Sequence, residues 1–134
     1  MSSDFQHVPA ELEGTLHFDA TMRTLYATDA SVYREMPQAV ALPKTEGDIC
    51  KLVRFAREHG TSLIPRTAGT SLAGQVVGSG IVVDVSRHLT RVLEIDETRR
   101  RVRVQPGVVR NELNLALASH GVFFAPETPH RTVV

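Results

Sequence analysis

The residues best suited to chemistry form a small-residue segment between Pro65 and Gly80. Small residues let a backbone approach a ligand closely and reach positive φ angles, and successive amides in such a loop form a concave nest for anions. Hydroxyl side chains add donors. The segment indicates a phosphate or pyrophosphate site, although a surface connection without a ligand stays open as an alternative. Its small residues are Thr67, Ala68, Gly69, Thr70, Ser71, Ala73, Gly74, Gly78, Ser79 and Gly80.

The spacing of the glycines excludes two standard phosphate motifs. The segment has no Gly-Lys-Ser/Thr ending, so it is not the phosphate loop of nucleotide triphosphatases. Gly78-Ser79-Gly80 is followed by the apolar run Ile81-Val82-Val83, which lacks the third glycine and the helix of a dinucleotide fingerprint.

The helices and strands predicted around this segment indicate a mixed α/β, or α+β, fold. Residues 39–42 and 62–65 are predicted strands that flank a helix over about 46–59, as in a βαβ unit. Thr45 is its predicted N-cap, with Asp48 three residues on. The continuous apolar run over 81–85 is typical of a strand covered on both faces. The apolar stripe predicted for this helix is Ile49, Leu52, Val53 and Ala56.

The two ends of the chain give weaker patterns. Residues 92–96 and 101–104 flank a polar turn and predict an antiparallel hairpin, and a second helix is expected over about 109–119. A strand or extended segment is predicted over residues 122–124. In the first 35 residues, apolar spacing predicts one or two short helices before a loop over 26–36, so we expect an N-terminal segment over 1–35 and a second unit over 36–134.

Composition excludes several functional classes. The 134 residues carry 15 Lys and Arg against 15 Asp and Glu, a balance that argues against a nucleic-acid partner or a polybasic membrane surface. The one cysteine, Cys50, excludes an internal disulfide and a multi-cysteine metal site. The six histidines show no metal-ligand spacing, so no metal is expected. No transmembrane run or secretory signal is evident, which predicts a cytoplasmic protein.

Two charged residues beside the segment have open roles. Arg66 could offer a cation to a phosphate, or pair with a carboxylate such as Asp84 or Glu127, and the structural role is slightly favoured. Asp84 interrupts an apolar strand; a position at the strand end or on an alternate face explains it more simply than a buried charge.

The run from Pro65 to Gln75, Pro-Arg-Thr-Ala-Gly-Thr-Ser-Leu-Ala-Gly-Gln, resembles the pyrophosphate-binding loop of FAD-linked oxidases of the vanillyl-alcohol oxidase and para-cresol methylhydroxylase type. Residues 26–33, 37–43, 81–86 and 104–107 resemble the flanking segments of that family in the same order. Within it, the D-lactate dehydrogenase and glycolate oxidase flavin-subunit group is the most similar, and the resemblance covers about residues 25–128.

The resemblance implies a FAD site and its residues. It implies non-covalent FAD, because Thr70 stands where some relatives carry the histidine that attaches the flavin. Relatives have glycines where this chain has Thr67 and Ala68, which would strain Thr67 if that position needs a positive φ. The implied cofactor-binding residues are Arg66, Thr67, Ala68, Gly69, Thr70, Ser71, Gly74, Gln75, Pro106, Gly107, Pro126, Glu127 and Thr128.

The resemblance also implies an activity for a longer protein. We expect residues 36–134 to be the first part of a FAD-binding domain whose second part and substrate domain lie elsewhere, with no catalytic residue here. The whole enzyme would oxidise a small organic acid, a D-2-hydroxy acid, by hydride transfer to flavin, and could form a homo-oligomer. Two alternatives stay open: an inactive module that folds without binding flavin productively, and part of an enolpyruvyl-nucleotide-sugar reductase.

Overall fold

A computed structural model describes residues 12–126 and shows a four-stranded sheet, a separate hairpin and three helices within that range. The sheet has the order β1-β2-β4-β3, in which β1 is antiparallel to β2 and the other pairs are parallel. This confirms the predicted mixed α/β class. The elements are β1 (Thr15–His17), α1 (Ala20–Leu25), β2 (Ala39–Leu42), α2 (Glu46–Glu58), β3 (Leu63–Arg66), β4 (Ile81–Asp84), β5 (Val92–Asp96), β6 (Arg101–Val104) and α3 (Arg110–Ala118).

Helix α2 forms the predicted crossover between the parallel strands β2 and β3. Its N-cap is Thr45, whose hydroxyl accepts a hydrogen bond from the Asp48 amide at 3.2 Å. Gly60 follows its end with a φ of +61°, a conformation that glycine adopts without strain. The predicted stripe is wrong at one position: Val53 is 52% exposed, and Phe55 is buried instead.

Strand β4 lies between its two parallel partners and is buried on both faces, as its apolar run predicted. One face of the sheet packs against Leu52 and Phe55 of α2. The opposite face carries Val40 and Val82, both fully buried. Because strand residues alternate between faces, Arg66 and Asp84, which are partners in the β3–β4 register, share this second face.

The N-terminal part differs from the prediction in one element. Helix α1 is present, but residues 15–17 form the edge strand β1 where helix was predicted. A buried carboxylate explains the difference: Asp48 accepts hydrogen bonds from the amides of Glu13, Gly14 and Lys44, each at 2.9 Å. These bonds hold the approach to β1 beside the start of α2, so that β1 pairs with β2.

The C-terminal elements form a second small core. The hairpin β5–β6 is antiparallel as predicted, and Val108, Leu113 and Leu117 pack against its partly buried apolar side chains. Residues 122–124 form no strand; the Phe124 amide instead donates to Asn114 Oδ1 at 2.7 Å. Within residues 12–126 no helix is long and apolar enough to cross a membrane.

Candidate functional site

The small-residue segment leaves the sheet at the carboxyl end of β3 and returns to the start of β4. In open parallel sheets, ligands bind outside the carboxyl ends of the strands. The connection passes over the face that carries Ile64, since a Cβ on Gly78 would lie 2.8 Å from the Ile64 Cδ1 atom. The 66–75 loop, defined as residues Arg66 to Gln75, therefore lies at the edge of the sheet where a ligand is expected.

The backbone of the 66–75 loop has the features of an anion nest. Gly69 and Gly74 have φ angles of +68° and +71°. The amides of Gly69, Thr70 and Ser71 have no acceptor within residues 12–126. A run of amides beside a left-handed glycine offers several N–H donors to one anion. The donor set thus fits a phosphate or pyrophosphate group.

The two residues that replace family glycines cause no backbone strain. Of the non-glycine residues in the described range, Arg100 alone has a positive φ, so Thr67 and Ala68 do not. The loop therefore needs the left-handed conformation at Gly69, and the side chains before it are tolerated.

A side-chain network closes the second half of the loop. The Ser71 hydroxyl donates to Gln75 Oε1 and accepts from the amides of Gln75 at 3.0 Å and Ala73 at 3.3 Å. Gly74 lies against Tyr33, because a Cβ there would be 2.7 Å from the Tyr33 ring. Ser71 thus already shapes the loop, whereas exposed Thr70 has its hydroxyl available to a ligand.

Arg66 bridges the loop to the segment that precedes β2. Its Nη1 atom donates to the carbonyl oxygen of Thr28 at 2.7 Å and to that of Tyr26 at 3.4 Å. Its guanidinium carbon lies 5.2 Å from the centre of the Tyr26 ring. A Cβ on Gly69 would be 2.3 Å from Arg66 Nη2, so the guanidinium also lies directly under the loop. These are structural contacts, made with carbonyl groups rather than with a carboxylate.

Asp84 is a buried carboxylate with a full set of partners, which sequence reasoning did not expect. It is 6% exposed and accepts from the Tyr26 hydroxyl at 2.6 Å and from the Ser86 amide and hydroxyl at 2.8 and 2.6 Å. Burial, followed by the hydrogen bond to Asp84, raises the pKa of Tyr26 to about 12. The interruption of an apolar strand by Asp84 was the available signal, but its tyrosine partner is 58 residues away.

Asp29 is a further residue that the sequence did not single out. Its Oδ1 atom accepts from the Ser31 amide at 2.9 Å and from the Ser31 hydroxyl at 2.5 Å. The Ser31 hydroxyl holds the pKa of Asp29 below its ordinary value although desolvation opposes this, and the Ser71 hydroxyl acts in the same direction. The neighbouring Ala30 amide donates to the Gly69 carbonyl oxygen at 3.0 Å. The Asp-x-Ser pattern of a local turn was the signal available.

Of the predicted site residues outside the loop, Pro106 and Gly107 lie at the same edge of the sheet as the loop. Gly107 is buried against the segment that follows β4: a Cβ there would lie 2.6 Å from the Val85 carbonyl oxygen and 2.8 Å from that of Leu89. Pro106 is exposed beside it. Because Val85 in turn donates to the Arg66 carbonyl oxygen at 3.0 Å, this turn shares the carboxyl edge of the sheet with the loop. Pro126 is exposed, and Glu127 and Thr128 lie outside the described residues.

Gly107→Ala is expected to lower the free energy of unfolding by about 2 kcal/mol, because the added methyl group meets fixed backbone oxygens rather than a side chain that can move. Chemical denaturation measures this loss. Gly47→Ala is the control, since a Cβ there would lie no closer than 3.5 Å to its nearest neighbour. A Gly107→Ala protein as stable as the control would contradict this packing role.

Two of the cavities on the part of the chain that the structure describes bear on the position of a ligand. The larger, about 320 Å³, lies between the hairpin and the residues that follow α3, and none of the predicted site residues lines it. The other, about 250 Å³, is lined by Tyr33, Arg34, Glu35, Ala73, Gly74 and Val77 and adjoins the loop. The position of a ligand is therefore better indicated by the backbone donors than by cavity size.

The chain is similar to known proteins in sequence and in fold. The family profile described as "FAD binding domain" matches residues 37–134. The chain is 44% identical over 120 residues to a D-2-hydroxyglutarate dehydrogenase of Haemophilus influenzae, covering 83% of the chain and 12% of that protein. It is 31% identical over 131 residues to a glycolate oxidase subunit of Bacillus subtilis, covering 95% of the chain and 28% of that protein.

A solved structure has the same fold over most of the chain. The 6-hydroxy-D-nicotine oxidase of Arthrobacter nicotinovorans superposes with a TM-score of 0.70 at 25% identity, covering 86% of this chain and 26% of the oxidase. The chain thus spans about an eighth of the dehydrogenase and about a quarter of the other two proteins.

Proposed function

The chain belongs to the family of FAD binding domains, and from this we propose that its 66–75 loop holds the pyrophosphate of FAD. The observation that carries the proposal is the set of amides at Gly69, Thr70 and Ser71, which have no acceptor within residues 12–126, beside a glycine in the left-handed conformation. Amide donors suit a pyrophosphate in a protein without net charge, because they act locally and need no positive field.

The other predicted residues are assigned by the same proposal. The amides of Thr67 and Ala68 and the Thr70 hydroxyl add donors, Ser71 maintains the loop, and Arg66 supports it from below. Gly74 and Gln75 would lie along the cofactor toward the flavin. The residues assigned to the remaining cofactor wall are Pro106, Gly107, Pro126, Glu127 and Thr128.

For the longer protein of which such a domain is part, we propose oxidation of a D-2-hydroxy acid. Bound FAD supplies a two-electron acceptor for hydride. Two similar proteins are named D-2-hydroxyglutarate dehydrogenase and glycolate oxidase subunit, which supports this substrate class. The part played by this chain is to bind and orient the cofactor. A small-acid substrate, a homo-oligomer and a cytoplasmic location stay predictions from the sequence.

The proposal is tested by titrating the purified chain with FAD while flavin fluorescence is followed. Saturating FAD is also expected to raise the melting temperature by about 5–10 °C, because a ligand that binds the native state stabilises it. Riboflavin, which lacks the pyrophosphate, is the control and should give a smaller shift. Neither quenching nor a thermal shift with FAD would contradict cofactor binding and favour an inactive module.

FAD bound to the chain is expected to be non-covalent, because Thr70 has no nitrogen that could attach the flavin. After acid precipitation of the holoprotein, the flavin absorbance should appear in the supernatant. Thr70→Val should leave this release unchanged and weaken binding by no more than about tenfold, the value of one hydrogen bond. Yellow colour retained in the washed precipitate would contradict a non-covalent site.

A further inference from the structure

The segment Tyr26–Ala30, called the strap below, connects the buried sheet to the underside of the 66–75 loop. Its first residue is fixed to the sheet, since the Tyr26 hydroxyl donates to buried Asp84 at 2.6 Å. Its middle accepts a hydrogen bond from Arg66, the first residue of the loop, at the Thr28 carbonyl oxygen. Its last residue donates from the Ala30 amide to the Gly69 carbonyl oxygen at 3.0 Å. The strap thus contacts the loop through Arg66 and Gly69 and the sheet through Asp84.

The bond from Ala30 determines which way the loop amides face. In a planar trans peptide, the C=O of one residue and the N–H of the next point in opposite directions. The Gly69 carbonyl group points at the strap, so the N–H of Thr70 points away from it. That N–H has no acceptor within residues 12–126. The strap therefore turns the central peptide of the nest outward.

The guanidinium of Arg66 fixes the same peptide from below. It is held between the Thr28 carbonyl oxygen and the face of the Tyr26 ring, and it fills the space beneath Gly69. The position of Tyr26 therefore affects the loop through Arg66 as well as through the chain. Groups fixed before a ligand arrives reduce the entropy that binding must overcome.

We propose that the strap, anchored by the Tyr26 hydroxyl, sets the 66–75 loop in its binding conformation before the cofactor arrives, which makes Tyr26 a positioning residue for FAD; this rests on the proposed function. Tyr26 does so without contact with the cofactor. The strap needs the hydroxyl rather than the ring alone, because the hydroxyl makes the bond to the sheet.

The test compares Tyr26→Phe with Tyr33→Phe. Both remove one hydroxyl from a ring that contacts the loop, but the Tyr33 hydroxyl makes no hydrogen bond within residues 12–126 and that residue is 59% exposed. Amide hydrogen exchange, followed by NMR without ligand, reports the strap at Ala30 and helix α2, which packs on the sheet, at Leu52. In Tyr26→Phe, the protection of Ala30 should fall about tenfold relative to Leu52, the loss that one hydrogen bond produces. Tyr33→Phe should leave the ratio unchanged.

Binding supplies the second measurement, made at 10 °C so that every variant is folded. Tyr26→Phe should raise the Kd for FAD and the Kd for ADP by the same factor of about ten, because the two ligands share the pyrophosphate. If Tyr26→Phe does not fold, Asp84→Asn replaces it in the test. This variant changes the other partner of the Tyr26–Asp84 hydrogen bond and should also raise both Kd values. A loss of stability without a change of affinity would overturn the proposal, because it would make Tyr26 merely structural.

The two measurements separate this inference from the function on which it rests. If the unchanged chain binds neither FAD nor ADP, the proposed function fails, and the exchange ratio at Ala30 still decides whether the strap sets the loop. If the unchanged chain binds FAD and the ratio in Tyr26→Phe stays constant, the strap proposal is overturned while the FAD site stands.

Discussion

Replacing Gly69 by alanine is expected to raise the Kd for FAD about 100-fold, close to 2.7 kcal/mol of binding free energy. Gly69 has a φ of +68°, a conformation that costs an L-residue about 1–2 kcal/mol. A Cβ at this position would also lie 2.3 Å from Arg66 Nη2, so either the guanidinium or the loop must move. A shift of the loop would turn the amides at positions 70 and 71 away from a common anion, and a shift of the guanidinium would remove its support beneath Gly69.

Gly60→Ala is the matched control for this variant. Gly60 has nearly the same φ, +61°, but a Cβ there would have nothing within 4 Å, and the residue ends α2 away from the loop. Both variants should lose about 1 kcal/mol of stability through backbone strain, and Gly69→Ala should lose somewhat more because its Cβ also meets the Arg66 guanidinium. Only the change at Gly69 should affect FAD, as measured by fluorescence titration. Equal affinities for the two variants would remove Gly69 from the site.

The structure also changes the expected effect of a larger side chain at position 69. From the sequence, a valine at position 69 would block FAD with little loss of fold. The Cβ of alanine already meets the Arg66 guanidinium, and the two further methyl groups of valine would displace it farther from Thr28 and Tyr26. Gly69→Val is therefore expected to lose more stability than Gly69→Ala, so alanine gives the clearer experiment.

Local patterns predicted most of the elements around the site. The Thr45 cap, the continuous apolar run of β4 and the alternation in β6 each depend on neighbours in sequence, and each prediction is confirmed. Strand β1 could not be predicted in this way. Its residues pair with β2 because a carboxylate more than 30 residues away binds the amides just before it.

In the candidate site, too, local features could be predicted from the sequence and contacts between distant residues could not. The glycines of the loop were evident from composition, and the structure gives Gly69 and Gly74 the positive φ angles that such a loop requires. The supports beneath it were not evident, because Tyr26 and Asp84 are 58 residues apart and meet only when the second sheet face is covered. Gly107, assigned by resemblance to a cofactor wall, also has a packing reason for lacking a side chain.

The largest expected loss of stability comes from Asp48→Asn, about 3 kcal/mol at pH 7. The Asp48 side chain is fully buried, and its two oxygens accept from three backbone amides. An asparagine keeps the shape but presents an NH₂ group where one oxygen accepted, leaving part-buried amides unpaired at about 1–3 kcal/mol each. Urea denaturation measures the loss. Glu46→Gln, on the exposed first turn of the same helix, is the control and should cost less than about 1 kcal/mol.

The same carboxylate predicts how stability depends on pH. Burial alone would raise the pKa of Asp48, but hydrogen bonds from the amides of Lys44, Glu13 and Gly14 outweigh it and hold the pKa below its ordinary value of 3.8. The unfolded chain therefore takes up the proton first as pH falls, so the contribution of Asp48 is complete above pH 3.8 and is lost as pH falls through the lower native pKa. Because Asp48→Asn cannot titrate at this position, its deficit in unfolding free energy relative to the unchanged chain should shrink in acid. A deficit that stays constant between pH 7 and pH 3 would contradict this assignment.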